Sequence, residues 1–309
     1  MARLRKTART DTAPATGDIL HQVRRIELRT RGLVNSRFTG EYHSVFKGHG
    51  IEFAEVREYL PGDDVRAIDW NVTARLGQPY IKRYVEEREL TVLLVVDVSG
   101  SQRWGSRHTR KSDVVAEVAA TIAMSASRNN DRVGLVLVTD EVEAFAPPRK
   151  GRRHVLRLVR DLLNFRPRSR ATDLSAGLDF AVRIAPARSI LFLFSDFQIE
   201  DWDGFSRALT AAAARHDVVA VHLDDPAEAE LPKVGLLAVR DPESGERVVI
   251  DTSSNSARDR YASLTAAESE HARRLFRRFR VDEIRLRTDA PFVPALLGFF
   301  RRRERRLRR

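Results

Sequence analysis

Asp97, Ser99 and Ser101 stand at alternate positions directly after an apolar run, and Gly100 between the serines lets the backbone turn. One carboxylate and two hydroxyls from a single tight loop suit a hard divalent cation, which prefers oxygen ligands in octahedral geometry and keeps several waters. Completing such a site takes a hydroxyl and a carboxylate from two further loops. Thr172, just ahead of a predicted helix, and Asp196, closing a second apolar strand, supply them. The cofactor expected is Mg2+ or another hard divalent cation such as Mn2+ or Ca2+. Two carboxylates against one divalent ion leave the site able to accept one more anion. The chemistry this predicts is metal-dependent capture of an acidic side chain. Asp and Ser after a strand are also common as caps and turn formers; Asp173, next to Thr172, is open to either reading and is left out of the ligand set.

The elements that must position these residues read as alternating strands and helices. Val92–Val96 is unbroken, apolar and rich in β-branched residues, as in a strand buried on both faces of a parallel sheet. Sites in open α/β sheets lie at the carboxyl ends of strands, where Asp97 and Asp196 fall. From residue 89 the expected order is strand Leu90–Asp97, helix Ser112–Arg128 capped by Ser112, and strands Arg132–Thr139 and Val142–Ala146 ended by Pro147-Pro148. Helices Arg152–Leu163 and Leu174–Ile184, strand Ser189–Ser195, helix Phe205–Arg215 and strand Asp217–Leu223 follow. A hairpin of Leu236–Arg240 and Arg247–Asp251, a helix near Ala257–Phe279 and strand Glu283–Arg287 complete the series. The fold class expected is α/β, a Rossmann-like doubly wound and mostly parallel sheet, and Asp97-x-Ser99-x-Ser101 after its first strand resembles the von Willebrand A-type version of it. Ahead of it, Asp18–Val34 has helical periodicity, and 38–89 reads as short strands and loops. The expected organisation is a disordered basic start at 1–16, a small β-rich module at 17–88, the main domain at 89–300 and an Arg-rich tail at 301–309.

Composition excludes several functions. There is no cysteine among 309 residues, which removes thiol catalysis, disulfides and thiolate metal sites. No run approaches a membrane span and the N-terminus lacks a signal-peptide core, so the cytoplasm is the default. The net charge is +11, but the first and last ten or so residues carry nearly all of it, so the body is close to neutral. A neutral body is no basic groove, and no specific nucleic acid is expected as a partner. The Arg-rich ends could bind nucleic acid or an anionic membrane, although solvated ends are the simpler reading.

An enzyme is the main alternative, in particular a metal-dependent hydrolase. A haloacid-dehalogenase-like phosphatase also places an Asp after its first strand, but its second Asp would fall at Ser99, and no Lys stands obviously as its phosphate-holding base. The chain has no P-loop, no Gly-x-Ser-x-Gly and no His-Glu-x-x-His. His43, His49, His154 and His216 read as structural or surface residues. The carboxylates Glu52, Glu55, Glu58, Asp63, Asp64 and Asp69 alternate with Arg57, Arg66 and Arg75, which suggests an internal ion-pair network rather than acid/base catalysis.

Asp97-x-Ser-x-Ser101 after a strand resembles the metal-ion-dependent adhesion site of von Willebrand factor A domains. In those sites the serines and the threonine approach the ion, the aspartates mostly hold its waters, and a partner's acidic residue completes it. Ser44-Val-Phe-Lys-Gly48, Arg57-Glu-Tyr59, Pro61-Gly-Asp-Asp-Val-Arg66, Ile68-Asp-Trp-Asn71 and Thr73-Ala-Arg75 make the match narrower. With Glu86-Glu-Arg-Glu-Leu90 and the Asp241–Asp251 hairpin, they resemble the bacterial domain of unknown function family 58 across nearly the whole chain. One departure is Ala171, where a Gly often precedes the threonine. Members are typically encoded beside a MoxR-type AAA+ ATPase. The resemblance therefore implies a non-enzymatic adaptor working with such an ATPase and an unidentified protein client in the assembly or maturation of complexes. Many relatives carry two membrane helices ahead of this module, and none is read here.

Overall fold

A computed structural model describes residues 16–33, 38–46, 52–85, 89–105 and 109–307. The expectations for 1–15, His49, the 47–48 part of the first motif, residues 86–88 and the last two arginines lie outside the described residues. The central element is a six-stranded sheet. Its strands are β3 (Thr91–Asp97), β4 (Arg132–Val138), β5 (Val142–Arg149), β6 (Ile190–Ser195), β7 (Asp217–Asp224) and β10 (Asp282–Arg287), in the order β10-β7-β6-β3-β4-β5. All pairs are parallel except β4 with β5. This is the doubly wound, mostly parallel sheet expected.

Side chains alternate across β3. Val92, Leu94 and Val96 enter one core, and Leu93 and Val95 enter the other. The first core is closed by α1 (Thr16–Leu33), α2 (Thr39–Val45), α4 (Lys111–Arg128), α5 (Arg152–Asn164) and α10 (Phe292–Leu307). The second is closed by α6 (Leu174–Ile184), α7 (Trp202–Arg215) and α9 (Asn255–Arg278). With both faces covered, a strand needs apolar residues at every position, which is why β3 and β6 lack a polar alternation. Phe38, Tyr42 and Phe46 pack around Phe300, so α2 belongs to the same core as the sheet.

Chain order reverses on either side of β3. The crossover through α4 leads to β4 on one side, and that through α6 leads to β6 on the other. The carboxyl ends of β3 and β6 therefore flank the switch point, where such sheets open a crevice.

Three expectations are corrected. Helix α4 starts at Lys111 with Arg110 at the cap position, so Ser112 lies inside the first turn and does not cap it. Strand β5 runs through Pro147-Pro148 to Arg149, because it is an edge strand and its outer N–H groups have no ladder to serve. The Arg-rich end is helical and anchored rather than simply solvated. Arg303 follows Phe299 and Phe300 along the buried face of α10, pairs with Asp217 and Asp282, and lies 4.7 Å over the Phe46 ring. Arg306 pairs with Asp282 and Arg301 with Glu41.

Between α2 and β3 lie β1 (Glu52–Glu58), a 3-10 turn at Val65–Ala67, α3 (Trp70–Leu76) and β2 (Tyr80–Val85). Strands β1 and β2 pair antiparallel, and Ile68 bridges to Ile81. Three of the carboxylates have described local partners. Asp63 takes both guanidinium nitrogens of Arg57, Asp64 caps the 3-10 turn and Asp69 caps α3. Two short elements remain: α8 (Pro226–Ala229), and the hairpin β8 (Leu236–Arg240) with β9 (Arg247–Asp251).

Candidate metal centre

Asp97 is the last residue of β3 and is buried. Its Oδ1 accepts the Ser99 N–H at 2.9 Å, and its Oδ2 accepts the Ser195 hydroxyl at 2.7 Å and Gln102 Nε2 at 3.4 Å. The Asx turn swings the chain into the 3-10 helix Gly100–Arg103, so Ser99 and Ser101 fall on the same side of it. Their hydroxyls are 3.2 Å apart, and both residues are buried. The first loop thus brings together the three residues read from the Asp-x-Ser-x-Ser spacing.

The second loop is drawn in by the Gly100 N–H, which donates to the Arg170 carbonyl at 2.9 Å, and by Asp173 N–H to the Thr139 carbonyl. Thr172 sits in that loop, and Asp173, open to either reading in the sequence, caps α6 through the Ser175 N–H. The third loop leaves β6 at Ser195. Phe197 takes a left-handed backbone (φ 54°) with its N–H on Ser195 Oγ, turning the chain immediately after Asp196. A β-unbranched aromatic residue held in that conformation is strained, a frequent condition at functional sites. Asp196 is buried beside Asp97 at the switch point.

Five residues at the site escaped the sequence reading. Ser195 and Gln102 hold Asp97. Lys111, fully buried at the start of α4, places its ammonium 2.7 Å from Asp196 Oδ2 and 2.6 Å from Glu228 Oε1. A lysine therefore does stand at this sheet edge, but both its close partners are carboxylates. Glu243, in the turn of the β8–β9 hairpin, accepts the Thr172 hydroxyl at 2.6 Å. Ser195, closing a strand, carried a detectable signal; Lys111, Glu228 and Glu243 look like ordinary surface charges in sequence.

Charge is concentrated here. Burial, and then the neighbouring Asp196 charge, push the Asp97 carboxyl up to about 7. Burial raises Glu228 to about 7 as well, against the downward pull of Lys111. Burial draws the Lys111 ammonium down, but Asp196 and Glu228 more than offset this and its net shift is upward. Glu243 is also raised, by burial first, with Thr172 opposing and the Asp196 charge adding.

These residues fit a hard divalent cation. The set is all oxygen, it carries more negative than positive charge in a desolvated edge, and its two serine hydroxyls share one side. The Gln102 side chain adds an independent sign: Nε2 is bound to Asp97, while Oε1 is buried without a partner, an acceptor suited to a metal-bound water. Among the described residues no three His, Cys, Asp or Glu side chains form a metal-ligating group, so the fit rests on this mixed carboxylate–hydroxyl set.

The family model "Protein of unknown function DUF58" matches residues 55–271. This chain belongs to the DUF58 family. It is 33% identical over 287 residues to an uncharacterized protein of Mycobacterium tuberculosis, covering 92% of this chain and 89% of that one. An uncharacterized protein of Bacillus subtilis is 29% identical over 118 residues, 38% of this chain and 27% of its own. No enzymatic name occurs among these relatives. Solved structures that resemble this DUF58 member include the conserved hypothetical protein BatB of Bacteroides thetaiotaomicron, at 14% identity and TM-score 0.46, covering 70% of this chain and 99% of that one. An aerotolerance-related membrane protein of Bacteroides fragilis aligns at 15% identity and TM-score 0.48 over 70% and 99% of the two chains. The SpRpn10 VWA domain aligns at 10% and TM-score 0.40, over 68% and 94%. Among the described residues no helix is long and apolar enough to cross a membrane.

Proposed function

We propose that this DUF58 protein is a non-enzymatic, metal-dependent protein-interaction adaptor. Asp97, Ser99, Ser101, Thr172 and Asp196 would hold Mg2+ or a similar hard cation, with the aspartates and the Gln102 oxygen receiving its waters. When bound, the ion supplies a Lewis-acidic position for an acidic side chain of a protein partner. The observation that carries the reading is the buried Ser99–Ser101 hydroxyl pair beside Asp97, which has a second buried carboxylate, Asp196, as its neighbour and an unpartnered Gln102 oxygen alongside. The residues themselves do the rest. Ser195 and the Ser99 N–H orient Asp97, the Arg170 carbonyl fixes Gly100, and Lys111 offsets the charge of Asp196.

The partners belonging to this reading are a MoxR-type AAA+ ATPase and a client protein, and the setting is the cytoplasm. Support comes from the family membership and the chemistry of the sheet edge. The test is calorimetry with Mn2+ and Mg2+ on wild type and Asp97→Ala, followed by capture of the ATPase in Mg2+ and in EDTA. Retention of the ATPase by wild type in Mg2+ alone supports the adaptor. Equal retention in all four samples refutes a metal-dependent grip, and metal-dependent turnover lost in Asp97→Ala would favour a hydrolase instead.

A further inference from the structure

The β8–β9 hairpin is held against the candidate metal centre rather than projecting free. Its turn is built tightly: Asp241 Oδ1 accepts the Glu243 and Ser244 N–H groups at 2.7 and 3.0 Å, and Asp241 N–H donates to the Glu246 carbonyl. The turn lies directly over the serine loop. A Cβ added at Gly100 would stand 2.3 Å from the Pro242 carbonyl oxygen and 2.8 Å from its carbon. Gly100 has an ordinary φ, so the glycine serves this close approach and not a left-handed backbone. Glu243, partly buried in a largely exposed turn, reaches inward to the Thr172 hydroxyl at 2.6 Å. Among the described residues no Lys or Arg pairs with it.

A further carboxylate that feels the Asp196 charge, with no Lys or Arg partner among the described residues and with Lys111 already held by Asp196 and Glu228, is electrostatically unfavourable unless another positive species is shared between them. The unpartnered Oε1 of Gln102, on a buried side chain bound to Asp97, points independently to a further polar species beside Asp97. We propose that Glu243 is an intramolecular ligand of this centre, occupying the acidic position that the adaptor reading leaves to a partner. The inference rests on that reading. The chain carries its own competitor, and an acidic partner binds by displacing the hairpin turn. The apparent affinity for a partner is then lowered by the fraction of molecules in which the turn is seated.

The experiment uses the full chain as wild type, Glu243→Gln, Ser244→Ala and Asp97→Ala. Mn2+ affinity is measured by electron paramagnetic resonance, and hydrogen exchange across 236–251 is followed with and without Mn2+. The probe for displacement is N-acetylglutamate methylamide titrated into Mn2+-saturated protein. Glutamine keeps the size of Glu243 and its bond from Thr172. The expected result is a roughly 10–100-fold weaker Mn2+ affinity for Glu243→Gln, loss of the Mn2+-dependent protection of 236–251, and tighter probe binding than in wild type; Ser244→Ala should match wild type. Unchanged Mn2+ affinity and protection in Glu243→Gln, with Asp97→Ala defective, overturns the role of Glu243 while leaving the centre intact. Absence of Mn2+ binding in wild type overturns both.

Discussion

Asp97 and Asp69 make a useful pair. Both are buried aspartates, and each accepts a backbone N–H from two residues further on. Around Asp69 the oxygen also meets the Val72 N–H at the start of α3, and the residue works as a helix cap. Around Asp97 stand a second buried carboxylate, two hydroxyls and a half-satisfied amide. Residue type and burial are alike, so neither marks a site. What separates them is hydrogen-bonding and charge capacity left over after local structure has been served.

The largest effect that sharpens this contrast is expected at Asp97 itself. Asp97→Ala should abolish measurable Mn2+ binding by calorimetry without unfolding the protein, because the mutation removes a poorly solvated charge. Asp69→Ala should leave Mn2+ binding at the wild-type level. Equal loss in both would collapse the distinction.

Next comes Lys111. Lys111→Met leaves Asp196 and Glu228 buried without their cation, and breaking a buried pair this way destabilises by about 3–5 kcal/mol. Urea unfolding in EDTA should show that drop, and adding Mn2+ should recover part of it. No recovery would mean that the cation and the lysine do not share Asp196.

Asp131 extends the comparison to a buried carboxylate outside both regions. It accepts the Leu90 N–H and the Tyr42 hydroxyl, and burial raises it from 3.8 to about 6 despite those bonds. Between about pH 4 and pH 6 the folded chain keeps a proton that the unfolded chain has released, so stability falls as pH rises through that window and levels off above it. Asp131→Asn should flatten this slope, a difference on the order of 2–3 kcal/mol across the window, read from urea midpoints at each pH for both proteins.

The smallest effects belong to the 52–85 module. Asp69→Ala should lower stability by about 1 kcal/mol through loss of the cap, and Asp63→Ala by less, since the Arg57 pair is only partly buried and screened by solvent. If either variant kept wild-type stability yet lost its protein partner, a purely structural role for this motif would be wrong.

Much of the frame was legible because it follows from burial on two faces. The apolar runs of β3 and β6 admit few other readings, and α6 and the β8–β9 hairpin lie where caps, periodicity and turn residues place them. Asp97, Ser99 and Ser101 were legible because one loop carries all three; Thr172 and Asp196 required the sheet order as well. Lys111, Glu228 and Glu243 were not. Each sits in a locally ordinary setting, the first turn of a helix, a short helix and a Pro-Glu-Ser-Gly turn. Only the crossover connections bring them to one edge. Pro147-Pro148 misled for a related reason: proline terminates a central strand but is tolerated at a sheet margin, and β5 proves to be marginal only once the strand order is known.

Those two prolines also govern what the molecule can join. The outer flank of β5 offers an incoming peptide fewer amide protons over its last turn of pairing, so a foreign strand laid there would find an interrupted ladder. Fibril-like stacking and strand exchange through that flank are disfavoured by covalent structure alone. That protection is confined to one margin of the sheet: β10 at the other has no proline.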